Sequence, residues 1–498
     1  MAGFQGVTSG DYAGLDFAGM GGMFDGEGGF AGVAGAGDVD ELNKALSAGS
    51  DINNPGAAAG EGFPLRVESL DKTLFTTTYR AKDIKFWKGL YKDPAYNTVE
   101  EFNRLEEYGS GEAAFVAEGD LATEDDSTYS RQYTRIKYMG TTRRVTHVVS
   151  LLKSAVGNVI ARETVNGTLW LLRQVERSLF IGDEDLIPVQ FDGLEKLLVE
   201  AWGANRSDDD LFLGYEDDNV IDLRGAALTE DHIADLAERL VAEPNFGAPS
   251  DLWLPTGPVK DLSKIMYPKE RYDLPGPKDG VAGLAIRSIM TPFGQIALQP
   301  DIFLPSSTVA GGAAGPAAQR PAAPTVAAPT SPAYAGANQT FFAAADAGTY
   351  IYQIVAANRY GRSAATTSAA VVVAAADQVS IGVTDNGPGT SYYIVYRSDL
   401  GGTVATAREI MRVRRTAAVQ TIVDLNRFLP NTSKGYMLTG TPEVLKWKQL
   451  APFTKIPLAT IDASIRWMQV LYGALQVMKP LQNGMFINIG RLPTGASA

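Results

Sequence analysis

Only two histidines, His147 and His232, and no cysteine occur among the 498 residues, so the side chains that carry most acid–base, nucleophilic and soft-metal chemistry are nearly absent. Thiolate metal sites, disulfide frameworks and thiol nucleophiles are excluded. The histidines stand far apart and lack metal-ligand spacing, which leaves each a structural residue. Carboxylate chemistry remains. Three acidic clusters, at Asp183, Glu184 and Asp185, at Asp208, Asp209 and Asp210, and at Glu216, Asp217 and Asp218, have the donor type for a divalent cation or an acid/base pair. Each reads as a solvated loop. No Walker loop, Rossmann glycine fingerprint or Gly-x-Ser-x-Gly elbow is present. The residues therefore predict no enzyme, no cofactor and no metal.

Charge is the other pattern able to act. From Gly111 to Asp126 every charged residue is acidic (Glu112, Glu118, Asp120, Glu124, Asp125, Asp126), and from Arg131 to Arg144 every one is basic (Arg131, Arg135, Lys137, Arg143, Arg144). The basic half carries β-formers, Tyr133, Thr134, Ile136, Tyr138 and Thr141, and glycines 109, 111, 119 and 140 punctuate turns. The pattern predicts a hairpin over residues 109–147 with one acidic and one basic limb. Such a hairpin has too little apolar surface to stand alone. Either its limbs neutralise each other in solvent, or it lies on an adjacent copy of complementary charge. The second reading makes Glu118, Asp120, Glu124, Asp125, Asp126, Arg131, Arg135, Lys137, Arg143 and Arg144 the candidate inter-subunit contacts.

Larger elements must position that hairpin. The length and 45% hydrophobic content are enough for a sizeable core divided into roughly two to four units. Residues 1–65 are Gly/Ala-rich and predict an arm rather than a domain. Residues 66–108 open the body. Behind the hairpin, Leu152, Val156, Val159, Ile160, Leu169, Leu172, Val175 and Leu179 recur mainly at three- and four-residue steps. They predict one long helix from Ser150 to Ile181, about 48 Å if unbroken, with Glu176 among its polar residues; Gly157 and Gly167 weigh against continuity.

Residues 183–305 read as α+β, with helices near Gly193–Trp202 and Glu230–Ala242, the latter capped by Thr229, and a strand near Gln295–Leu298. Prolines 316, 321, 324, 329 and 332 mark residues 306–333 as a linker. Beyond it, short β-patterned segments (Thr349–Ala356, Ala370–Val373, Val379–Val383, Ser391–Arg397) predict a small sandwich over 334–405, with Tyr350, Tyr352 and Ile354 on one face. Residues 406–498 return to mixed structure and end in a helical pattern at Thr460–Ile465 and a strand at Phe486–Ile489. No run of about 18 apolar residues occurs, and Met1–Gly35 lacks a signal-peptide pattern. A soluble protein made inside the cell is expected, for which the Asn-x-Ser/Thr matches at Asn166, Asn338 and Asn431 carry no meaning.

This order of arm, charged hairpin, long helix, α+β body and late return resembles the HK97-type major capsid protein of tailed double-stranded DNA bacteriophages. The most specific pieces are Tyr133 to Gly182, Thr291-Pro-Phe-Gly-Gln-Ile, Ile456-Pro-Leu-Ala, and Tyr472-Gly-Ala-Leu-Gln-Val with Pro480. The resemblance implies an α+β fold in which residues 109–147 are the E-loop, 148–182 the spine helix, and 183–305 with 406–498 the peripheral and axial domains. It implies a virion protein, assembled in the host cytoplasm as hexamers and pentamers into an icosahedral shell around DNA. Its partners would be itself, a scaffolding protein, the portal and a decoration protein, with no membrane. A net charge of −13 suits a wall that encloses DNA without binding its sequence.

The 334–405 module resembles an immunoglobulin-like or fibronectin type III domain in Gly348-Thr-Tyr-Ile-Tyr-Gln-Ile-Val-Ala-Ala-Asn-Arg-Tyr-Gly and Tyr392-Tyr-Ile-Val-Tyr-Arg, without the immunoglobulin cysteine pair. It makes a carbohydrate- or cell-binding protein the alternative reading.

Overall fold

The computed structural model describes residues 77–492 except 110–114, 116–117, 120, 122–123, 125, 153–157, 201–218, 244, 271–285, 305–307, 336–339, 388 and 460–461. The expected arm, Asp120, Asp125 and the acidic clusters at 208–210 and 216–218 lie outside the described residues. The chain divides into Met1–Phe75 and Thr76–Ala498; all that follows concerns the second unit, a mixed α/β fold.

Its central element is the 23-residue helix Val159–Ile181. Asn158 caps it, its side-chain oxygen accepting from the backbone N–H of Ile160 (2.9 Å) and Ala161 (3.3 Å). The predicted start at Ser150 is wrong, because His147–Leu151 forms a separate short helix. Leu171, Val175 and Leu179, spaced by four, bury one stripe of the long helix against Phe86, Phe191, Leu194, Trp253, Tyr436 and Trp447. Gly167 does not break it. A Cβ there would meet the Gln469 side chain at 2.2 Å, and Gln469 Nε2 donates to the Thr164 carbonyl at 2.7 Å. The glycine lets helix and strand approach closely, which offsets its poor helix propensity.

That strand, Ser464–Val477, belongs to a four-stranded sheet ordered Lys92–Pro94, Leu445–Pro457, Ser464–Val477, Lys137–Thr146. The helical pattern predicted at Thr460–Ile465 is therefore overturned at Ser464 and Ile465, Thr460 and Ile461 lying outside the described residues. A ladder from Ser464↔Thr146 to Gly473↔Lys137 outweighs a weak local periodicity, since strand preference is decided by what the residues pair with. The same ladder takes Lys137–Thr146 out of the predicted hairpin.

A six-stranded mixed sheet runs Val220–Asp222, Gly484–Ile489, Ser433–Leu438, Asp251–Pro255, Gly294–Asp301, Ser288–Thr291. Because side chains alternate along a strand, it serves two cores. Trp253, Tyr436 and Ile487 face the long helix, while Leu252, Leu254, Met437 and Phe486 face the other way. That second face is covered by helices Glu230–Val241 and Thr256–Glu270 through Ile233, Leu236, Leu240 and Leu262. Thr229 caps the first of them, its hydroxyl accepting from the His232 N–H at 3.4 Å.

The β-module is larger than predicted. One sheet orders Gly361–Arg362, Tyr352–Asn358, Tyr392–Arg397 and Arg408–Arg414; a second orders Val419–Asp424, Val379–Thr384 and Thr325–Val326. Between them Tyr350, Tyr352, Ile354, Ile381, Val383, Tyr393, Val395, Ile410 and Ile422 form a core. The supposed linker 306–333 is held down, with Thr325–Val326 paired to Val383 and Thr384 and bridges Ala314↔Arg362 and Thr330↔Ser380. The boundary predicted at 405 cuts through the sheets. Strand Arg408–Arg414 escaped notice because its charged residues conceal the alternation: Glu409 is ion-paired to Arg412 at 2.7 Å.

Candidate functional site

Val99–Glu107 and Thr128–Arg135 form an antiparallel ribbon, from Val99↔Arg135 to Glu107↔Thr128. The hairpin's first limb is thus Val99–Glu107, and the acidic run lies in the connection between the limbs rather than along one of them. Alternation gives the ribbon two faces. Glu100, Phe102 and Arg104, opposite Thr134, Gln132 and Ser130, are half-buried. This face is tied down: Arg104 Nε donates to the Met478 carbonyl at 2.8 Å, and Glu100 lies 3.7 Å from Lys448 Nζ. The other face carries Val99, Glu101, Asn103 and Leu105 opposite Arg135, Tyr133, Arg131 and Tyr129, all of them exposed. The Arg135 guanidinium sits 5.3 Å from the centre of the Tyr133 ring.

The predicted contact residues divide. Four of the basic ones are engaged within the chain. Arg135 (3.1 Å) and Lys137 (2.8 Å) share Glu184, Arg143 lies 3.7 Å from Glu163 of the long helix, and Arg144 lies 2.8 Å from Asp462. These charges fasten the base of the hairpin and the adjoining strand to the body. Arg131, which shares the outward face with Arg135, lies instead 3.4 Å from the exposed Glu101 of the same ribbon. Of the acidic residues, Glu118, Glu124 and Asp126 are exposed, as are Tyr108 and Phe115 beside them.

Sequence reasoning missed the partners Glu101, Glu163, Glu184 and Asp462. The signal for Glu184 was the cluster at 183–185, read as a solvated loop. Instead Lys196 Nζ lies 3.1 Å from Asp183, 2.7 Å from Asp185 and 3.2 Å from Asp192. Burial works against that ammonium, but the Asp185 hydrogen bond and the charges of Asp192 and Asp183 hold it above the ordinary lysine value. Burial likewise opposes the Glu184 charge, and Lys137 and Arg135 hold its carboxyl below the usual range.

The remaining candidates are structural. His147 opens the short helix, its N–H donating to the Ala463 carbonyl at 2.9 Å, and His232 Nδ1 lies 2.9 Å from the Thr229 hydroxyl. Among the described residues no group of three His, Asp or Glu converges as a metal site would, and no helix is long and apolar enough to cross a membrane. A cleft of about 630 Å³ between the β-module and the six-stranded sheet is lined by Asp346, Arg397, Asp399, Asn431 and Arg491. Those groups are engaged within the chain: Asn431 Nδ2 donates to both Asp399 oxygens at 2.8 and 2.9 Å, Arg397 pairs with Asp424 and Arg491 with Asp261. The cleft is a seam.

Among the described residues the candidate site is thus an exposed surface rather than a set of converging reactive groups. The family model described as the SU10 major capsid protein matches residues 57–327, more than half of the chain. The chain belongs to this major capsid protein family. Two relatives are the major capsid proteins of Staphylococcus phage S25-3 and Staphylococcus phage K, each 23% identical over 430 residues, covering 84% of this chain and 88% of the relative. Among solved structures, the capsid of Myoviridae phage XM1 is 8% identical over 87% of this chain and 99% of that one, with a TM-score of 0.41. The capsid of a native GTA particle is 10% identical over 88% and 99%, with a TM-score of 0.43. Such overlaps are too loose to place any residue. The protein is a phage major capsid protein that forms the capsid shell, in a structural family that is not an enzyme class. The alternative, a carbohydrate- or cell-binding protein working through its β-module, finds no support in this kinship.

Proposed function

We propose that this capsid protein assembles through its hairpin as hexamers and pentamers, closing an icosahedral shell around packaged double-stranded DNA. The observation that carries the proposal is the hairpin itself, a ribbon anchored on one face and exposed on the other, ending in exposed Tyr108 and Phe115. An isolated ribbon is marginal in water, and exposed aromatic groups of this size favour burial against a partner. In this reading the hairpin is the E-loop of an HK97-type subunit, Val159–Ile181 its spine helix, and the two large sheets its peripheral and axial domains. The module spanning Thr325–Asp424 is an inserted immunoglobulin-like domain. Scaffolding protein and portal take part in assembly in the host cytoplasm, a decoration protein can join the outer surface, and the DNA is enclosed without sequence recognition.

Negative-stain electron microscopy and sedimentation of the full chain, expressed alone and with its scaffolding protein, test this. Closed shells, tubes or hexamer-sized rings are expected. A homogeneous monomer under both conditions would overturn the proposal.

A further inference from the structure

We propose that the outward face of the hairpin, centred on Tyr129, Arg131 and Tyr133, is the seat for the acidic hairpin tip of a second copy of this chain. The inference rests on the assembly reading above and goes further by naming both halves of one contact.

The face is built for burial. Tyr129 is 70% and Tyr133 60% exposed, and with Arg131 they form an alternating aromatic–cationic row, flanked across the ribbon by Val99 and Leu105. Tyrosine and arginine are the residue types that concentrate at the centres of protein interfaces, because each offers a large apolar body with a polar end at modest entropic cost. Within the chain this cation is weakly held. The Arg131–Glu101 pair is 3.4 Å long, with side chains 69% and 56% exposed, a geometry that contributes little. Arg135 and Lys137, by contrast, are committed to Glu184.

The occupant is indicated by complementarity. Residues 111–126 carry acidic residues and no basic one; Glu118, Glu124 and Asp126 are exposed, and Phe115 among them is 97% exposed. An acidic segment with an aromatic anchor matches a row of tyrosines around an arginine in both charge and apolar character. Face and tip are on the same hairpin, Tyr129 standing next to Thr128, where the ribbon ends and the tip begins, and Arg131 about 10 Å along from that end. Repeated from copy to copy, a tip meeting the next face is a head-to-tail contact, the kind that closes into rings. A single-stranded nucleic acid also stacks on aromatic residues beside cations. Glu101 on this face and the acidic tip beyond it oppose a polyanion.

The chain has no cysteine, which makes a disulfide trap clean. Arg131→Cys protein and differently tagged Glu124→Cys protein are co-assembled and oxidised, then run on a non-reducing gel. A mixed dimer carrying both tags, formed in shells and absent from unassembled protein, is expected. In parallel, Arg131→Glu should cut shell yield roughly tenfold, the equivalent of one 1.4 kcal/mol contact, and Glu124→Arg with Asp126→Arg on the tip should restore it. Wild-type shells with no mixed dimer and full assembly of Arg131→Glu would overturn the tip–face contact while leaving the assembly reading intact. Loss of single-stranded DNA binding by an Arg131→Glu protein that assembles normally would overturn it in favour of nucleic acid. Failure of the wild-type chain to assemble with or without scaffolding protein would overturn both readings.

Discussion

Glu176, in the middle of the long helix, accepts a hydrogen bond from the backbone N–H of Phe86 at 2.7 Å. The same carboxyl takes the N–H groups of Lys85 and Trp87, each at 2.8 Å, so one fully buried side chain pins the turn 85–87 to the helix. A carboxylate is the natural acceptor for three convergent donors. Burial nevertheless pushes its pKa up to about 7, and the neighbouring Asp301 charge adds to that against the three N–H groups. Asp301 is raised too, by burial first, and its buried Oδ2 has no donor of its own among the described residues. Two buried carboxyls both raised in this way favour one proton held between them, with Lys85 and Lys92 the cations facing the pair.

This predicts a stability that declines with pH. An unfolded glutamate titrates near about 4.3, so between there and about 7 the folded chain holds a proton that the unfolded chain has released. By linkage, stability falls as pH rises through that window. Thermal unfolding of the unassembled protein should show the midpoint dropping between pH 5 and 8. Glu176→Gln, which donates permanently to Asp301, should flatten the profile while losing the Trp87 bond; an unchanged slope would count against the shared proton.

Arg397 and Asp424 are both buried and lie 2.6 Å apart. Arg397 also donates to Asn426 (2.6 Å), and the Tyr352 hydroxyl donates to Asp424 (2.9 Å). Removing one member strands a charge in the module core, so Asp424→Ala should cost about 3–5 kcal/mol. Urea unfolding followed by tyrosine fluorescence measures it, and a loss below about 1 kcal/mol would show that water reaches Arg397.

Reversing Arg135, Lys137 and Arg143 to Glu together places like charges against Glu184 and Glu163. As inter-subunit contacts alone, these residues would leave the monomer fold intact when reversed. The structure predicts otherwise: the monomer itself is destabilised, seen as a lower unfolding midpoint, whereas Arg131→Glu leaves the midpoint unchanged. Equal midpoints for both variants would show the Glu184 pairs to be energetically idle.

Deleting 334–405, the module as read from sequence, leaves Arg408–Arg414 without Tyr392–Arg397 and Val419–Asp424 without Val379–Thr384. Two orphaned strands are ready templates for aggregation. The deleted chain should be insoluble, while a deletion carried through Asp424 should stay soluble; sedimentation of lysates separates the two.

Some of this was legible in the residues themselves. The three- and four-residue steps of Leu172, Val175 and Leu179 and the Thr229 cap mark their helices because a helix satisfies its backbone locally, and Tyr350, Tyr352 and Ile354 mark a sandwich face because alternation is a property of one strand. The absence of cysteine and the scarcity of histidine removed most chemistry before any fold was known. What the tertiary structure decided involves residues far apart in the chain. Ser464–Val477 is a strand because Lys137–Thr146 pairs with it, Glu176 is buried because residues 85–87 bring it three donors, and the basic limb is engaged because Glu184, Glu163 and Asp462 come to it. Local periodicity reports the backbone's own hydrogen bonds, whereas register, burial of a charge and the identity of its counter-charge are set by pairings that exist only once distant segments have met.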